Sequence, residues 1–254
     1  MTTIGDKYEI ISILGQGVFG IVFLGKDIKT KKEVAIKTDQ NVQTIKHETR
    51  IIQYLYSKKV KRIPKIYWYG TIKEQIFLIM ELYEYSLYDI APKLQDVSYN
   101  DRMLSIHTMI RHILDIFKEV HNYYVIHRDI KPQNFMFKNG TIYLIDFGMA
   151  TFYIDENANH YANRTTTNLI GTPKYASINL HRGNTYSRRD DIISIGYMAI
   201  FLETGKTDWY EKSDEQTLLN KTNISQYSQD PIIQRFLYDL YKIDFGEIPK
   251  YRLC

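Results

Sequence analysis

The amino-acid sequence predicts an α+β fold with two parts: a smaller part of β-strands and one helix, and a larger part that is mainly helical. From about Tyr8 to Met80, short apolar runs of β-forming residues are separated by turn residues and one helical stretch. After Glu81–Tyr83 the apolar spacing becomes helical. The 254 residues suffice for a large core or for two lobes of one fold.

The first part begins with two strands on either side of a glycine-rich stretch. Tyr8–Leu14 and Ile21–Leu24 flank Gly15–Gly20, which reads Gly-Gln-Gly-Val-Phe-Gly. A Rossmann dinucleotide loop would need a helix after the glycines, whereas the residues here predict a strand. Glycines let the backbone lie close to the phosphates of a nucleotide, and Leu14 and Val22 can cover its base. The glycine spacing by itself is weak evidence of nucleotide binding.

The next strand and helix supply a pair of opposite charges. Val34–Lys37 is a short β-type run that ends in a lysine. In the helix predicted over 41–56, Glu48 falls on the apolar stripe, which comprises Ile45, Ile52 and Leu55. Because an unpaired carboxylate in the interior would be costly, we predict that Glu48 pairs with Lys37. The alternative is a half-exposed Glu48 at the edge of the stripe.

The remaining elements follow from apolar spacing. Strands are predicted over Lys65–Tyr69 and Gln75–Met80. Asp101–Asn122 predicts a long core helix whose apolar face comprises Leu104, Met109, Ile113, Phe117 and Val120. Asp191–Glu203 is apolar nearly all round, so we expect it to be buried in the middle of the second part. The basic run Ser57–Arg62 predicts a solvated loop, with an interaction patch as the alternative.

The segment His127–Asn134 reads His-Arg-Asp-Ile-Lys-Pro-Gln-Asn, and Asp146-Phe147-Gly148 begins twelve residues after it. Asp129 can accept the proton of a hydroxyl group, and Lys131 can neutralise charge on a phosphate. Asn134 and Asp146 carry oxygen atoms of the kind that Mg²⁺ binds. Each residue alone is ordinary in a loop, but the set in this order predicts phosphoryl transfer.

Composition limits the classes of protein that need to be considered. A hydrophobic content of 44% and a charged content of 24% are typical of a soluble globular protein. The longest apolar stretch, Ile192–Leu202, is too short to cross a bilayer, and the amino terminus lacks a signal-peptide pattern. The single cysteine, Cys254, suits a reducing compartment. We therefore expect a cytoplasmic or nuclear monomer without membrane contact. The net charge of +4 does not argue for nucleic acid as a partner.

The chain resembles eukaryotic-type protein kinases over essentially its whole length, and the casein kinase I family in particular. Gly171–Asn179, Ser187–Asp191 and Tyr241–Tyr251 are similar to that family's pattern. Ala176–Ile178 replaces the Ala-Pro-Glu of most kinases, as in that family. The resemblance implies a bilobal protein-kinase fold. Its small antiparallel β-sheet lobe with one helix would cover about 1–83, including the start of the hinge, and its larger, mainly helical lobe about 84–254.

The resemblance also implies ATP and Mg²⁺ and assigns residues to them. The implied catalytic residues are Asp129 as base, Lys131 at the γ-phosphate, and Lys37 at the α- and β-phosphates, held by Glu48. The implied metal ligands are Asn134 and Asp146. The implied nucleotide-binding residues are Leu14, Gly15, Gln16, Gly17, Val18, Phe19, Gly20, Ile21, Val22, Lys37, Met80, Glu81 and Tyr83. Met80 would lie at the back of the adenine pocket, and Glu81 and Tyr83 would offer backbone groups to the base. Asp191 is similar to the aspartate that holds the backbone of the catalytic loop.

Substrate contacts are implied for Thr172 and Arg164, the latter at a position where the family carries an anion-binding arginine. Three departures concern specificity and regulation. At the hinge, Glu84–Ser86 stands where the family usually has Gly-Pro-Ser. Glu211–Gln216 replaces the family's lysine-rich stretch, which is part of its acidic-substrate site. Of the cations in that stretch, only one has a counterpart nearby in this sequence, Lys221. Because the sequence given ends at Cys254, we also expect no regulatory tail. Arg188 and Arg189 are expected to brace the activation loop that contains Tyr161–Thr167, with help to Arg164 in binding the anion as the alternative. We therefore expect a weakened preference for acidic or pre-phosphorylated protein substrates, resting on Arg164 with help from Lys221.

The leading hypothesis from the sequence is a serine/threonine protein kinase that uses ATP. A kinase-fold scaffold without turnover, or pseudokinase, is a second hypothesis, although such chains usually lose a group that is present here: Lys37, Asp129, Asn134 or Asp146. A third is a small-molecule phosphotransferase of the same fold. The segment Gly171–Ala176, which the resemblance assigns to peptide binding, argues against it.

Overall fold

A computed structural model describes residues 3–17, 20–166, 169–211 and 213–253. The strands are β1 (Thr3–Ile4), β2 (Tyr8–Gly17), β3 (Gly20–Asp27), β4 (Glu33–Asp39), β5 (Ile66–Ile72), β6 (Gln75–Glu81), β7 (Tyr85–Ser86), β8 (Val125–Ile126), β9 (Phe135–Lys138), β10 (Thr141–Leu144) and β11 (Thr151–Phe152). The helices are α1 (Val42–Ser57), α2 (Leu87–Gln95), α3 (Tyr99–Asn122), α4 (Ile178–His181), α5 (Arg188–Thr204), α6 (Asp214–Thr222) and α7 (Pro231–Leu240). This is the predicted α+β arrangement.

The chain divides into two compact units. The first contains the residues up to Glu84 together with Met136–Gly148, and the second contains Tyr85–Phe135 and the residues from Met149 onward. The short segment that carries Asp146 therefore belongs to the strand-rich unit, although it follows the catalytic-loop motif in the sequence.

The first unit is built on an antiparallel sheet with the strand order β1-β2-β3-β4-β6-β5. The central strands β4 and β6 are buried on both faces, and side chains alternate between two apolar clusters. Val34 and Ile36 lie in one cluster, whereas Ala35 lies in the other with Ile45 of α1. Helix α1 thus covers one face of the sheet, as its apolar stripe predicted. Asn41 caps it by accepting a hydrogen bond from the Gln43 N–H.

In the second unit, α5 is buried along almost its entire length, as predicted. It begins with a capping box between Ser187 and Asp190, and it ends at Gly205, whose φ of 71° is left-handed. Helix α3 packs against α5. The predicted apolar face of α3 was partly wrong, since Leu104 is 67% exposed. Met103 and Ile106 are buried instead, because the true stripe lies one position away from the predicted one at the start of the helix.

No helix in the described ranges combines the length and the apolar character that crossing a membrane requires.

Candidate active site

Lys37, Glu48 and Asp146 form an ionic cluster in the first unit. The Lys37 Nζ lies 2.8 Å from the Glu48 Oε2 and 2.7 Å from the Asp146 Oδ1. Glu48 is 1% exposed, so the predicted pairing is confirmed and the half-exposed alternative is wrong. The cluster joins the central strand β4, helix α1 and the segment after β10, which come from distant parts of the sequence.

Burial lowers the pKa of the Lys37 ammonium, but the carboxylates of Glu48 and Asp146 outweigh burial, so the net pKa is raised. Lys37 is therefore a fixed positive charge. Burial raises the pKa of Glu48, with Lys37 opposing and Asp146 adding to that shift. A single cation that neutralises two carboxylates leaves the cluster with a formal excess of negative charge, which favours an additional cation near Asp146.

Asp146 is positioned by the backbone around it. The Leu144 N–H donates to the Arg62 carbonyl, which ties β10 to the loop after α1. Asp146 itself has a left-handed φ of 63°, a costly conformation for a residue other than glycine. The Gly148 N–H lies 3.4 Å from the Asp146 Oδ1. The carboxylate is thus aimed by a strained turn and held by Lys37.

The glycine-rich segment continues the sheet further than predicted. β2 extends through Gly15 to Gly17, and β3 begins at Gly20. Gly20 has a φ of 95°, and a Cβ there would lie 1.9 Å from the Thr38 carbonyl oxygen, so only glycine fits. At Gly15 and Gly17 an added Cβ would meet no atom within 4 Å. Val18 and Phe19, also predicted to bind nucleotide, lie outside the described residues.

Two of the predicted adenine-binding residues belong to one apolar cluster of the first unit. Met80 on β6 belongs to the same cluster as Ala35, and Val22 packs against that cluster. Leu14 is half exposed on β2, whereas Gln16 and Ile21 face each other across the β2–β3 pair. Met80, Ala35 and Val22 thus form apolar surface of the kind against which an aromatic ring can pack.

Glu81 and Tyr83, which follow Met80, were predicted to offer backbone groups to the base. The Glu81 N–H already donates to the Lys65 carbonyl, so for Glu81 the prediction is limited to its carbonyl, whereas the prediction for Tyr83 is unaffected. The Glu81 carboxylate accepts from Lys138 at 2.8 Å. Tyr83 is buried, with its ring centroid 5.0 Å from that of Tyr143. These contacts hold the segment in place.

The second unit carries the catalytic-loop residues, and the structure brings three of them together with Thr172. Asp129 is 3% exposed. Its Oδ2 accepts from the Lys131 ammonium at 2.7 Å, and its Oδ1 accepts from the Thr172 hydroxyl at 2.6 Å. The Asn134 amide nitrogen donates to the Asp129 carbonyl at 2.8 Å. Because this bond uses the amide nitrogen, the amide oxygen of Asn134 can still bind a metal ion.

Asp191, at the start of α5, holds the backbone of this loop. Its Oδ2 accepts from the His127 N–H at 2.8 Å, and its Oδ1 accepts from the Arg128 N–H at 2.9 Å. Arg128 has a left-handed φ of 68°. Two hydrogen bonds to a buried carboxylate compensate for that strained conformation and fix the residue next to Asp129.

Gly171 explains why Thr172 reaches Asp129. Its φ is 89°, and a Cβ at this position would lie 2.1 Å from the Arg128 carbonyl oxygen. Only glycine permits so close an approach between this segment and the catalytic loop. The next residue, Thr172, then lies within hydrogen-bond distance of Asp129.

The predicted cations have different environments. Arg164 is exposed, and its backbone is held by Thr185 through the hydrogen bond from the Thr185 N–H to the Arg164 carbonyl. Lys221 is 0% exposed, and its ammonium donates to the carbonyls of Pro173 and Ala176 at 2.8 and 2.7 Å. The prediction that Lys221 helps to bind acidic substrates was therefore wrong. It is a buried donor that holds the segment after Thr172.

The replacement of Ala-Pro-Glu by Ala176–Ile178 also has a visible consequence. The Ser177 hydroxyl donates to the Asp190 Oδ1, and Asp190 also accepts from the Ser187 N–H. Burial raises the pKa of Asp190, with these hydrogen bonds opposing that shift. The two aspartates at the start of α5 therefore hold different segments. Asp190 holds the segment after Thr172, and Asp191 holds the catalytic loop.

Comparison with known protein families shows which family the chain belongs to. The family model described as "Protein kinase domain" matches residues 8–242. The chain belongs to this family. The predicted bilobal fold class is thereby confirmed, with an antiparallel sheet in the N-terminal part and most helices in the C-terminal part. A protein kinase domain implies ATP as phosphoryl donor, usually with Mg²⁺, and protein substrates.

Sequence reasoning missed two residues that support Asp191 beneath the catalytic loop. His121, near the end of α3, is buried beside Asp191, and Tyr251 contacts His121. A histidine among apolar residues of a long helix gives no signal of such a contact. Its position next to Val120 on the apolar side of α3 indicates burial but not the partner.

Proposed function

We propose that this chain is an active serine/threonine protein kinase similar to the casein kinase I family. The observation that carries the proposal is the environment of Asp129. One oxygen of its carboxylate bonds an alcohol, Thr172, and the other bonds an ammonium, Lys131. The carboxylate is thus oriented as a hydrogen-bond acceptor for a hydroxyl, with a positive charge beside it.

The proposed reaction follows from these groups. The oxygen of a serine or threonine side chain forms a bond to the γ-phosphorus of ATP while the bond from that phosphorus to the bridging oxygen breaks and ADP leaves. Asp129 accepts the hydroxyl proton, and Lys131 neutralises charge on the transferred group. In the first unit, Lys37 would bind the α- and β-phosphates and is kept in place by Glu48.

Asn134 and Asp146 are the residues that would hold Mg²⁺, each in its own unit. Their side chains offer the oxygen atoms that this hard cation prefers, and the excess negative charge around Asp146 fits a divalent ion. Magnesium, when bound, supplies positive charge to the phosphate oxygens.

Two other functions are less well supported. A scaffold without turnover would not need the buried Lys37–Glu48 pair or the oriented Asp129, and both are intact. A small-molecule phosphotransferase would not need Gly171 and Thr172 packed against the catalytic loop, in the segment that the family resemblance assigns to peptide binding. Protein phosphorylation accounts for all of these features together.

The test is incubation of the purified chain with γ-labelled ATP, Mg²⁺ and dephosphorylated casein, with Asp129→Asn as the matched control. Label on casein with the wild type alone supports the proposal. Nucleotide binding without transfer would favour the scaffold, and transfer only to small molecules would favour the third class.

Substrate selection is proposed to depend on Arg164. It lines a cavity of about 310 Å³ in the second unit together with Arg128 and Tyr186. The Arg128 Nε is engaged with the Met149 carbonyl, whereas the Arg164 side chain is exposed and can reach an incoming anion. A guanidinium can bind a phosphate or carboxylate through two hydrogen bonds. Arg164 would therefore read a phosphate or an acidic residue upstream of the acceptor.

The test compares Arg164→Ala with the wild type on two serine peptides, one pre-phosphorylated upstream of the acceptor and one unmodified. We expect the substitution to erase the difference between the two peptides while turnover on the unmodified peptide is largely retained. An unchanged ratio would show that Arg164 is only a loop residue.

A further inference from the structure

A chain of hydrogen bonds connects a residue near the end of the described chain to the catalytic loop. The Tyr251 hydroxyl lies 2.9 Å from the His121 Nδ1, and the His121 Nε2 lies 3.0 Å from the Asp191 Oδ2. Asp191 in turn accepts the backbone N–H groups of His127 and Arg128. Asp129 is the next residue in the sequence. All six residues belong to the second unit.

The direction of these bonds is fixed by chemistry. Burial lowers the pKa of His121, with Asp191 opposing that shift, so the imidazole is neutral and has one N–H donor and one acceptor nitrogen. The Asp191 carboxylate accepts two backbone N–H groups and is itself only an acceptor. The Nε2 atom must therefore carry the proton, and Nδ1 must accept from the Tyr251 hydroxyl. Asp191 selects this tautomer, and the Tyr251 hydroxyl supplies the hydrogen bond that the remaining ring nitrogen, Nδ1, accepts.

The segment that carries Tyr251 is firmly attached to the same region. The Arg188 guanidinium donates to the Gly246 carbonyl, and Arg189 donates to the Ile243 carbonyl at 2.7 Å. Tyr153, under the Arg188 guanidinium, donates to the His121 carbonyl at 2.7 Å. Both arginines thus hold the segment 243–246, and Arg188 also donates to the Tyr153 hydroxyl, so it contacts the stretch between Asp146 and Gly171 as well. These contacts make a fixed support for Tyr251.

We propose that Tyr251 is a positioning residue for phosphoryl transfer, acting through His121 and Asp191 on the backbone beside Asp129. Its hydroxyl donates to Nδ1 and so holds the His121 ring in the orientation in which Nε2 donates to Asp191, and Asp191 then holds the strained backbone of Arg128. The kinetic part of this inference rests on the proposed function, whereas the structural part does not.

The kinetic test is Tyr251→Phe, which removes the hydroxyl and keeps the ring that packs against His121 at a centroid distance of 5.6 Å. We expect kcat to fall about 3- to 10-fold, the scale of one lost hydrogen bond, with KM for ATP unchanged. Tyr99→Phe is the matched control, because its hydroxyl bonds Glu203 in the same unit and has no contact with Asp191 among the described hydrogen bonds. That control should retain kcat within about twofold.

A double substitution separates positioning from a general loss of stability. If Tyr251 acts through His121, adding Tyr251→Phe to His121→Ala should cause no further fall in kcat. An equal fall in both backgrounds would overturn the proposal.

Two measurements need no turnover. Nitrogen-15 NMR of the wild type should show His121 protonated at Nε2, and the His127 and Arg128 amides should exchange faster with solvent in Tyr251→Phe than in Tyr99→Phe. Protonation at Nδ1, or unchanged exchange, would refute the relay. A wild type that transfers no phosphate would instead refute the proposed function and leave these two results to decide the relay.

Discussion

The two groups of predicted catalytic residues are held in different ways. In the first unit, Lys37 is fixed by direct ion pairs to Glu48 and Asp146, so charge itself is the support. In the second unit, Asp129 is oriented by Lys131 and Thr172, and the loop beneath it is held by hydrogen bonds from its backbone to Asp191.

This difference predicts different consequences of mutation. Removing one member of a buried ionic cluster leaves an uncompensated charge, so stability and activity should fall together. Exchanging the carboxylate of Asp129 for an amide removes the proton acceptor but keeps the shape and most hydrogen bonds, so activity should fall alone. Residues that support the fold should therefore lose stability and activity together when substituted, whereas residues that serve only the chemistry should lose activity alone.

The largest effect on activity is expected for Asp129→Asn. Turnover should fall by about 10²-fold or more, because the positioned base is lost, while ATP affinity stays near that of the wild type. Steady-state kinetics and calorimetric nucleotide titration measure the two quantities. A variant that keeps most of its turnover would show that Asp129 is not the base.

Lys37→Met should reduce both activity and stability. We expect the free energy of unfolding to fall by about 2 kcal/mol, less than for many broken buried pairs because Glu48 can take up a proton. Denaturant unfolding measures this change. Adding Glu48→Gln should recover part of the loss, and a more stable Lys37→Met single variant would contradict the ionic account.

Lys221→Met tests the corrected role of that lysine. Two carbonyls lose a buried donor, so the free energy of unfolding should fall by about 1–2 kcal/mol. The ratio of turnover on acidic and neutral peptides should not change. A selective loss on acidic peptides would restore the substrate role that the sequence suggested.

The smallest effect expected is a pH dependence of stability. Because the pKa of His121 is lowered in the folded state from its ordinary value of 6.5, the unfolded chain binds the proton more readily. Stability should therefore be fully present above about pH 6.5 and decline as the pH falls below it. Urea unfolding of the wild type and His121→Gln across pH 5–8 measures this, and the slope should be smaller in the variant. Equal slopes would assign the decline to other groups.

Some contacts could be predicted from the sequence because two independent rules agreed. Glu48 was placed opposite Lys37 by helical spacing and by the cost of burying a lone carboxylate, and the contact exists. Lys221 was misassigned because a position in a pattern carries no information about burial. The spacing of α3 allowed more than one apolar face, so Leu104 was placed in the core although it is exposed.

The contact between Tyr251 and His121 could not be predicted, because 130 residues separate them and neither residue breaks a local pattern. Likewise, the left-handed conformation of Arg128 depends on Asp191, which lies in a different segment. Local propensity describes the elements of this fold, whereas the support of its catalytic loop arises from tertiary contacts.

The central claim, transfer of phosphate to serine or threonine, is tested most directly by phosphoamino-acid analysis of a protein substrate labelled by the wild type. The arrangement of Lys131 and Thr172 on Asp129 predicts phosphoserine and phosphothreonine, both absent with Asp129→Asn. Label found mainly on phosphotyrosine, or equal labelling by the wild type and the variant, would contradict the account.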